Sequence, residues 1–194
     1  NCFIGNDVTI GNNCTIHSNV SIYDNTVIGD NVIIHANTVL GGSAFYYKNR
    51  PEGYDQLISG GNVVIENNVD IGASCTIDRG VSASTLIKEG TKIDNLVQIG
   101  HDTIIGKKCL IASQVGIAGC VIVEDEVTIW GQVGITSGVT IGSKAIISAK
   151  SGVSKSLDSN KRYFGIPADD FRSKYKEIAA VRKIPEILEK LKEL

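Results

Sequence analysis

Three observations predict an all-β solenoid, a left-handed parallel β-helix, closed by C-terminal α-helices. Aliphatic residues recur every six positions, as in Ile93, Ile99, Ile105, Ile111, Ile117, Val123, Ile129 and Ile135. About 22 such hexapeptides can be counted, enough for roughly seven coils of three. After Pro167 the period changes to that of a helix. A six-residue unit cannot bury its own apolar edge, so successive coils must stack. With about 18 residues per coil and strands about 4.8 Å apart, His101, Gly119 and Ser137 lie one above another. His17 and His35 stack in the same way.

The repeat is running at Ile4 and continues through Ile10, Ile16, Ile22, Ile28, Ile34 and Leu40, often followed by Gly and then Asn or Asp. Those residues suit tight corners where positive φ is required. From 42 to 62 the period is lost, and the insert concentrates aromatic side chains at Phe45, Tyr46, Tyr47 and Tyr54. An excursion of this length either lines a ligand or subunit cleft or caps the coil. The period resumes at Ile65, Ile71 and Ile77, slips by four residues around Val81–Thr85, and then runs unbroken from Ile87 to Val153. The solenoid domain is thus 1–165 with the insert 42–62, and the helical extension is 166–194. Pro167 suits a first helical position, with Asp169 and Asp170 in the first turn and a helix to about Arg182. Pro185 opens a second helix, on which Ile184, Ile187, Leu188 and Leu191 form an apolar stripe. Threefold-related copies are the expected partner of that stripe, so a homotrimer is predicted.

The net charge of −2 is uneven. Residues 161–194 carry nine Lys and Arg against six Asp and Glu, and the remainder carries ten against fifteen. The basic end suits an acidic partner or is a solvated helix face. Nucleic acid is excluded as a partner, because the basic residues are not interleaved with stacking aromatics. With Asn1 first and no Met, the sequence reads as starting inside a longer chain. The lack of a long apolar run or a leader predicts a cytoplasmic protein. Cys2, Cys14, Cys75 and Cys109 each precede an aliphatic position by two residues, where other coils place Val, Thr, Ala or Ser. They read as core filler in a reducing compartment. No metal and no other cofactor are expected, since the cysteines lack ligand spacing and the three histidines lack a close pair.

His101 is the chemically distinctive residue of the regular coils. A histidine is suited to taking a proton from an attacking amine or hydroxyl at neutral pH. Asp102 beside it, or a carboxylate from another coil, can orient the ring and stabilise its charged form. Gly119, one coil on, can bring a bare backbone N–H to a carbonyl that develops negative charge. Base below and donor above make an acyl-transfer constellation.

Three motifs in order give the chain a resemblance. Cys75-Thr76-Ile77-Asp78-Arg79-Gly80, Ile93-Asp94-Asn95-Leu96-Val97-Gln98-Ile99-Gly100-His101 and Gly165-Ile166-Pro167 resemble segments of the UDP-3-O-acylglucosamine N-acyltransferases of lipid A biosynthesis. The resemblance implies that His101 is the general base, that Gly119 supplies the oxyanion donor and that Asn95 lies beside the acyl donor. It implies transfer of a (R)-3-hydroxyacyl chain from acyl carrier protein to the amine of a UDP-sugar. Phe45, Tyr46, Tyr47, Gln98, Trp130 and Ser137 are then candidates for substrate contact, and Arg172, Lys174 and Lys176 for docking the carrier. Trp130 suits either the cap of an acyl groove or a subunit seam. The chain departs from the family in three places. It starts directly in the coils without the family's uracil-gripping domain. Gly138 stands where the family has a second histidine, and Gln56-Leu57-Ile58-Ser59 replaces a Lys-Ile-Pro-Gln pattern. Rival readings are the sister UDP-N-acetylglucosamine O-acyltransferase, suggested by the His101–Asp102 pair, an acetyl-CoA-dependent sugar-nucleotide acetyltransferase, and a non-catalytic scaffold.

Overall fold

In a computed structural model the described residues, 1–192, form a three-sided left-handed β-helix with a helical C-terminal extension. Each side is a parallel sheet of very short strands. The first face has eight strands, from Phe3–Ile4 to Gly152–Val153, and the second has seven, from Thr9–Ile10 to Thr140–Ile141. The third runs from Thr15–Ile16 to Arg162–Phe164 and gains an antiparallel strand at Asp169–Asp170. Eight coils begin on the first face, one more than the hexapeptide count suggests. Residues 152–164 close a last coil in which Leu157 and Tyr163 stand in for the regular aliphatic positions.

The core is a column of the six-period residues. Ile22, Ile28, Ile34, Ile71, Ile99, Ile105 and Ile117 are all sealed from solvent. Two residues before each of them a small side chain fills the corner. This slot holds Thr26, Thr38, Thr91, Thr103 and Ser151 as readily as Val or Cys, because each hydroxyl finds a carbonyl, as Thr38 does with Gly72 at 2.7 Å. Cys75 and Cys109 are buried there as expected, and burial raises both thiols, Cys109 to about 11. Cys2 and Cys14 occupy the same slot in the outermost coil, where Cys2 is exposed and Cys14 half-buried.

The corner chemistry corrects one expectation. Positive φ falls three residues after each aliphatic position, at Asp7, Asn13, Asn19, Asn25, Asn31 and Asn37 early in the chain and at Leu96, Asp102, Lys108, Gln114, Cys120 and Glu126 later. The glycines that directly follow the aliphatic residues mostly have ordinary φ. They serve close approach instead, since a Cβ on Gly72, Gly100 or Gly106 would lie about 2.4–2.6 Å from backbone of the next coil.

The C-terminal segment also differs from the helix predicted at Pro167. Residues 165–168 reverse the chain, so that Asp169–Asp170 pairs with Arg162–Phe164, and only then does helix α1 (Phe171–Val181) begin. Asp170, rather than a proline, starts it by accepting from the N–H groups of Arg172 and Ser173. Helix α2 (Ile184–Lys192) carries the predicted stripe, and all four of its apolar residues are about half exposed. No helix of the described residues is long and apolar enough to cross a membrane.

A branched aliphatic chain in the left-handed region is held against its backbone preference, at a cost of about 1 kcal/mol. Leu96, exposed at φ +62°, is such a residue. Replacing it with Asn is expected to raise the denaturation midpoint by an amount equivalent to about 0.5–1 kcal/mol, whereas Leu96→Val lowers it.

Candidate active site

The site is built at the corner that joins strand Gln98–Ile99 of the first face to Ile104–Ile105 of the second. Gly100 lets this corner press against the coil above, where a Cβ would lie 2.6 Å from the nitrogen of Gly119. His101 follows and turns its ring upward onto Gly119. A Cβ on Gly119 would sit 2.5 Å from His101 Nε2 and 2.7 Å from Cε1, so only glycine leaves room for the imidazole. Asp102, at φ +53°, directs its carboxylate back to the ring, and its Oδ2 lies 2.8 Å from His101 Nδ1. Both side chains are largely shielded, at 14% and 17% exposure.

The slip in the hexapeptide period supplies the anchor for this pair. Residues 79–83 form a wide corner, from which the N–H of Val81 donates to Asp102 Oδ2 at 2.9 Å and that of Ala83 to Oδ1 at 3.1 Å. The N–H of Asp102 itself donates to the hydroxyl of Thr85. Desolvation pushes the Asp102 carboxyl up, but the N–H of Val81, the His101 ring and the N–H groups of Ala83 and Ser82 together outweigh it. The result lies below the usual carboxylate range. A carboxylate held ionised in this way favours the proton on Nδ1 and leaves the Nε2 lone pair facing Gly119.

Gly119 and Ser137 stack above His101 as the period requires, through Cys120 N–H to His101 O at 2.8 Å and Gly138 N–H to Gly119 O at 3.4 Å. At several equivalent corner positions the N–H is taken by a side chain of the next coil. Asn6 donates to Asp24, Asn12 to Asp30, Ala73 to Asn95 and Lys107 to Asp125. The N–H of Gly119 has no acceptor among the described residues, which suits it to a ligand oxygen.

These residues border a cleft of about 550 Å³ whose other walls come from the insert. The insert folds as an antiparallel hairpin, Tyr47–Arg50 with Gly53–Gln56. It brings Tyr46 to 5.6 Å from the His101 ring and Phe45 to the cleft mouth. Gln98 lines the floor, contacts the Thr76 hydroxyl, and donates to Asp78 Oδ2 at 3.0 Å. Asp78 belongs to the Cys75–Gly80 motif, yet sequence alone assigns it no role. Desolvation raises its carboxyl, partly offset by Gln98 and by the charge of His101. Also unforeseen is a lane without side chains. Gly116 and Gly134 follow Gln98 in the outward positions of the first face, and a Cβ on either would meet nothing within 4 Å. Gly152 continues the column, with Ile166 standing over it.

Other predicted residues lie elsewhere. Asn95 is at the corner before strand Gln98–Ile99 and accepts from the N–H of Ala73, outside the His101 cleft of the same chain. Trp130 is on that same edge of the prism, against Ala112, Ile93 and Leu110. Arg172 and Lys176 are exposed on α1, whereas Lys174 is shielded, packs its stem on Gly165 and pairs with Glu177 at 2.8 Å. Arg79 ties two coils together through the carbonyls of Gly41 and Asp24. His17 and His35 stack with ring centroids 4.8 Å apart.

The same stacking forms one further donor set: atoms of His101, Asp102 and Cys120 lie within 4.8 Å of one another. Both carboxylate oxygens of Asp102 are already committed to N–H groups, and desolvation and the charge of Asp102 raise the Cys120 thiol. The set therefore lacks the free carboxylate and the ready thiolate that a metal takes.

Comparison with known proteins agrees with this geometry. The bacterial transferase hexapeptide profile matches residues 7–42 and 84–119, and the profile of the hexapeptide repeat of succinyl-transferase matches 62–82 and 120–150. The chain carries hexapeptide repeats of this kind over those segments. Among curated hexapeptide-repeat proteins it is similar to the UDP-3-O-acylglucosamine N-acyltransferases of Rhizobium meliloti, 52% identical over 110 residues, and Methylobacterium nodulans, 40% identical over 115. These alignments take 57% and 59% of this chain and 31% and 33% of the relatives, so the match spans about a third of their length. Among solved hexapeptide-repeat structures, the UDP-N-acetylglucosamine acyltransferase of Francisella novicida superposes with a TM-score of 0.78 at 29% identity, over 86% of this chain and 59% of that one. The Arabidopsis UDP-N-acetylglucosamine acyltransferase shares the fold, with a TM-score of 0.65 at 24% identity over 88% and 69%.

Two outcomes follow from the geometry. Gly119→Ala is expected to displace the imidazole while leaving the coil intact. The His101 ring resonances should shift strongly in an NMR spectrum whose core methyl signals stay in place. Asp78, raised in the folded state, favours folding below the ordinary carboxylate pKa of about 3.9, and that contribution is lost as pH rises through the raised value. Asp78→Asn lacks this loss, so its denaturation midpoint relative to wild type should increase from pH 3.5 to pH 7.

Proposed function

We propose that the chain transfers a (R)-3-hydroxyacyl group from acyl carrier protein to the 2-amino group of UDP-3-O-acylglucosamine, as an N-acyltransferase of lipid A synthesis in the cytoplasm. The observation that carries this reading is the His101–Asp102 pair seated under the unpaired N–H of Gly119. His101 Nε2 takes a proton from the amine as its nitrogen attacks the thioester carbonyl carbon. The N–H of Gly119 stabilises the oxyanion, and the C–S bond then breaks with the imidazolium proton passing to the departing thiolate. Asp102 holds the ring and balances its transient charge. The glycine lane from Gly116 to Gly152 offers an acyl chain a bed about 10 Å long, two rungs of about 4.8 Å. Phe45, Tyr46, Tyr47, Gln98 and Ser137 would contact substrate around it.

A homotrimer fits the same reading. Leu110 and Ile122 are exposed on two faces of the prism, and the α2 stripe has no partner among the described residues. Packing copies by their faces would bring Asn95 and Trp130 of one subunit toward the His101 cleft of the next. Arg172 and Lys176, with Lys174 held beneath them, would meet the acidic carrier. A second reading, O-acylation of UDP-N-acetylglucosamine, is favoured by the likeness to the Francisella novicida enzyme and by the same His–Asp pair.

The test is acyl transfer from 3-hydroxyacyl carrier proteins of several lengths to both acceptors, with wild type beside His101→Ala and sedimentation to read the oligomer. Removing the general base should lower kcat by about 10²–10⁴-fold in an intact trimer. Transfer only to UDP-N-acetylglucosamine would move the assignment to the sister reaction, and equal activity in His101→Ala would overturn the mechanism.

A further inference from the structure

The hairpin insert carries more aromatic surface than the fold needs. Pairing across it sets Tyr47 opposite Gln56 and Asn49 opposite Tyr54, so these four side chains share one hairpin face. Lys48, Arg50 and Asp55 take the other face, where Arg50 and Asp55 form an ion pair at 3.0 Å. Phe45 extends the first face, with its ring centroid 5.2 Å from that of Tyr47 in an edge-on arrangement. Phe45, Tyr46, Tyr47, Asn49 and Tyr54 enclose a second cleft of about 540 Å³. Phe45 and Tyr54 are 84% and 75% exposed, far more than core-building rings would be. The two clefts share Phe45 and Tyr46, so a single ligand can reach from the hairpin to His101.

Open ring faces that line a cleft together with the carboxamide of Asn49 have a specific chemical complement. Aromatic faces stack on a planar base, which contributes about 1–3 kcal/mol per base. A carboxamide donates and accepts at once, and so matches a base edge that carries both an N–H and a C=O. An alkyl chain would make no use of Asn49 and is served by the glycine lane. We propose that this hairpin face is a nucleobase platform, on which the uracil of the nucleotide-sugar stacks against Tyr54 and Tyr47 while Asn49 reads its edge and the sugar extends to His101. The proposal rests on the nucleotide-sugar acceptor argued above. The same ring chemistry would also receive the adenine of coenzyme A, so the probes must separate the two bases.

The experiment is calorimetric titration of UMP and of 3′,5′-ADP into the full chain and into Tyr54→Ala, Tyr54→Phe and Asn49→Ala, with thermal melts to check folding. UMP is expected to bind wild type more tightly than 3′,5′-ADP. Its affinity should fall about 10-fold in Tyr54→Ala, fall measurably in Asn49→Ala, and return in Tyr54→Phe. The KM for the UDP-sugar should rise in parallel with the UMP loss. UMP affinity unchanged in a folded Tyr54→Ala protein, or tighter binding of 3′,5′-ADP than of UMP, would overturn the platform. Because binding is read without acyl transfer, a wild type that transfers acyl groups but shows either result refutes the platform alone. Hairpin-dependent UMP binding without any acyl transfer would refute the N-acyltransferase reading and leave the platform standing.

Discussion

The ladder of backbone hydrogen bonds between coils governs everything else in this molecule. Gly100 donates to Ile117 at 2.8 Å, Gly116 to Val133 at 2.9 Å and Ala118 to Ile135 at 3.0 Å, and the pattern continues along each face. A parallel ladder of this kind fixes vertical register to one residue, because a slip would turn the aliphatic column outward. Each position therefore has a known neighbour one coil away. Residues a full coil apart in sequence, such as His101 and Gly119, are thereby brought together without any flexible part, provided that the corners tolerate it.

The corners tolerate it unevenly. Early coils place Asn and Asp at the positive-φ position, residues whose short polar side chains suit that conformation. Around His101 the same position holds Leu96, Asp102, Gln114 and Cys120. At Asp102 the position is used rather than merely endured, since the turn aims a carboxylate at a ring one residue back. The wide corner at 79–83 then supplies N–H groups that keep that carboxylate charged. Local departure from the repeat and local chemistry thus coincide, as expected where function overrides an otherwise consistent pattern.

Much of this was legible in the sequence, and the reason lies in the period. Once Ile93, Ile99 and Ile105 define the column, the stacking of His101, Gly119 and Ser137 is arithmetic, as is that of His17 on His35. What the period did not encode was harder to read. Nothing in 42–62 tells that Tyr46 folds back over His101, because a hairpin on a long connection finds its place through contacts distant in sequence. The four-residue slip was visible, but its purpose depended on the direction of two N–H bonds. Asp78 entered the site through side-chain direction rather than spacing, whereas Cys120 stands one coil above Asp102 by the same arithmetic. Pro167 was misplaced because the reversal at 165–168 pairs a strand before the helix can begin, and Asp170 is the cap that marks the true start.

The proposed proton transfer depends on which nitrogen of His101 carries the proton when the ring is neutral. Nitrogen-15 NMR of the labelled imidazole, read at a pH where the ring is uncharged, measures this directly. Protonated Nδ1 and bare Nε2 in wild type, with a mixture of tautomers in Asp102→Asn, is the result predicted by the Asp102 contact. A neutral ring carrying its proton on Nε2 in wild type would contradict it, because no base would then face Gly119.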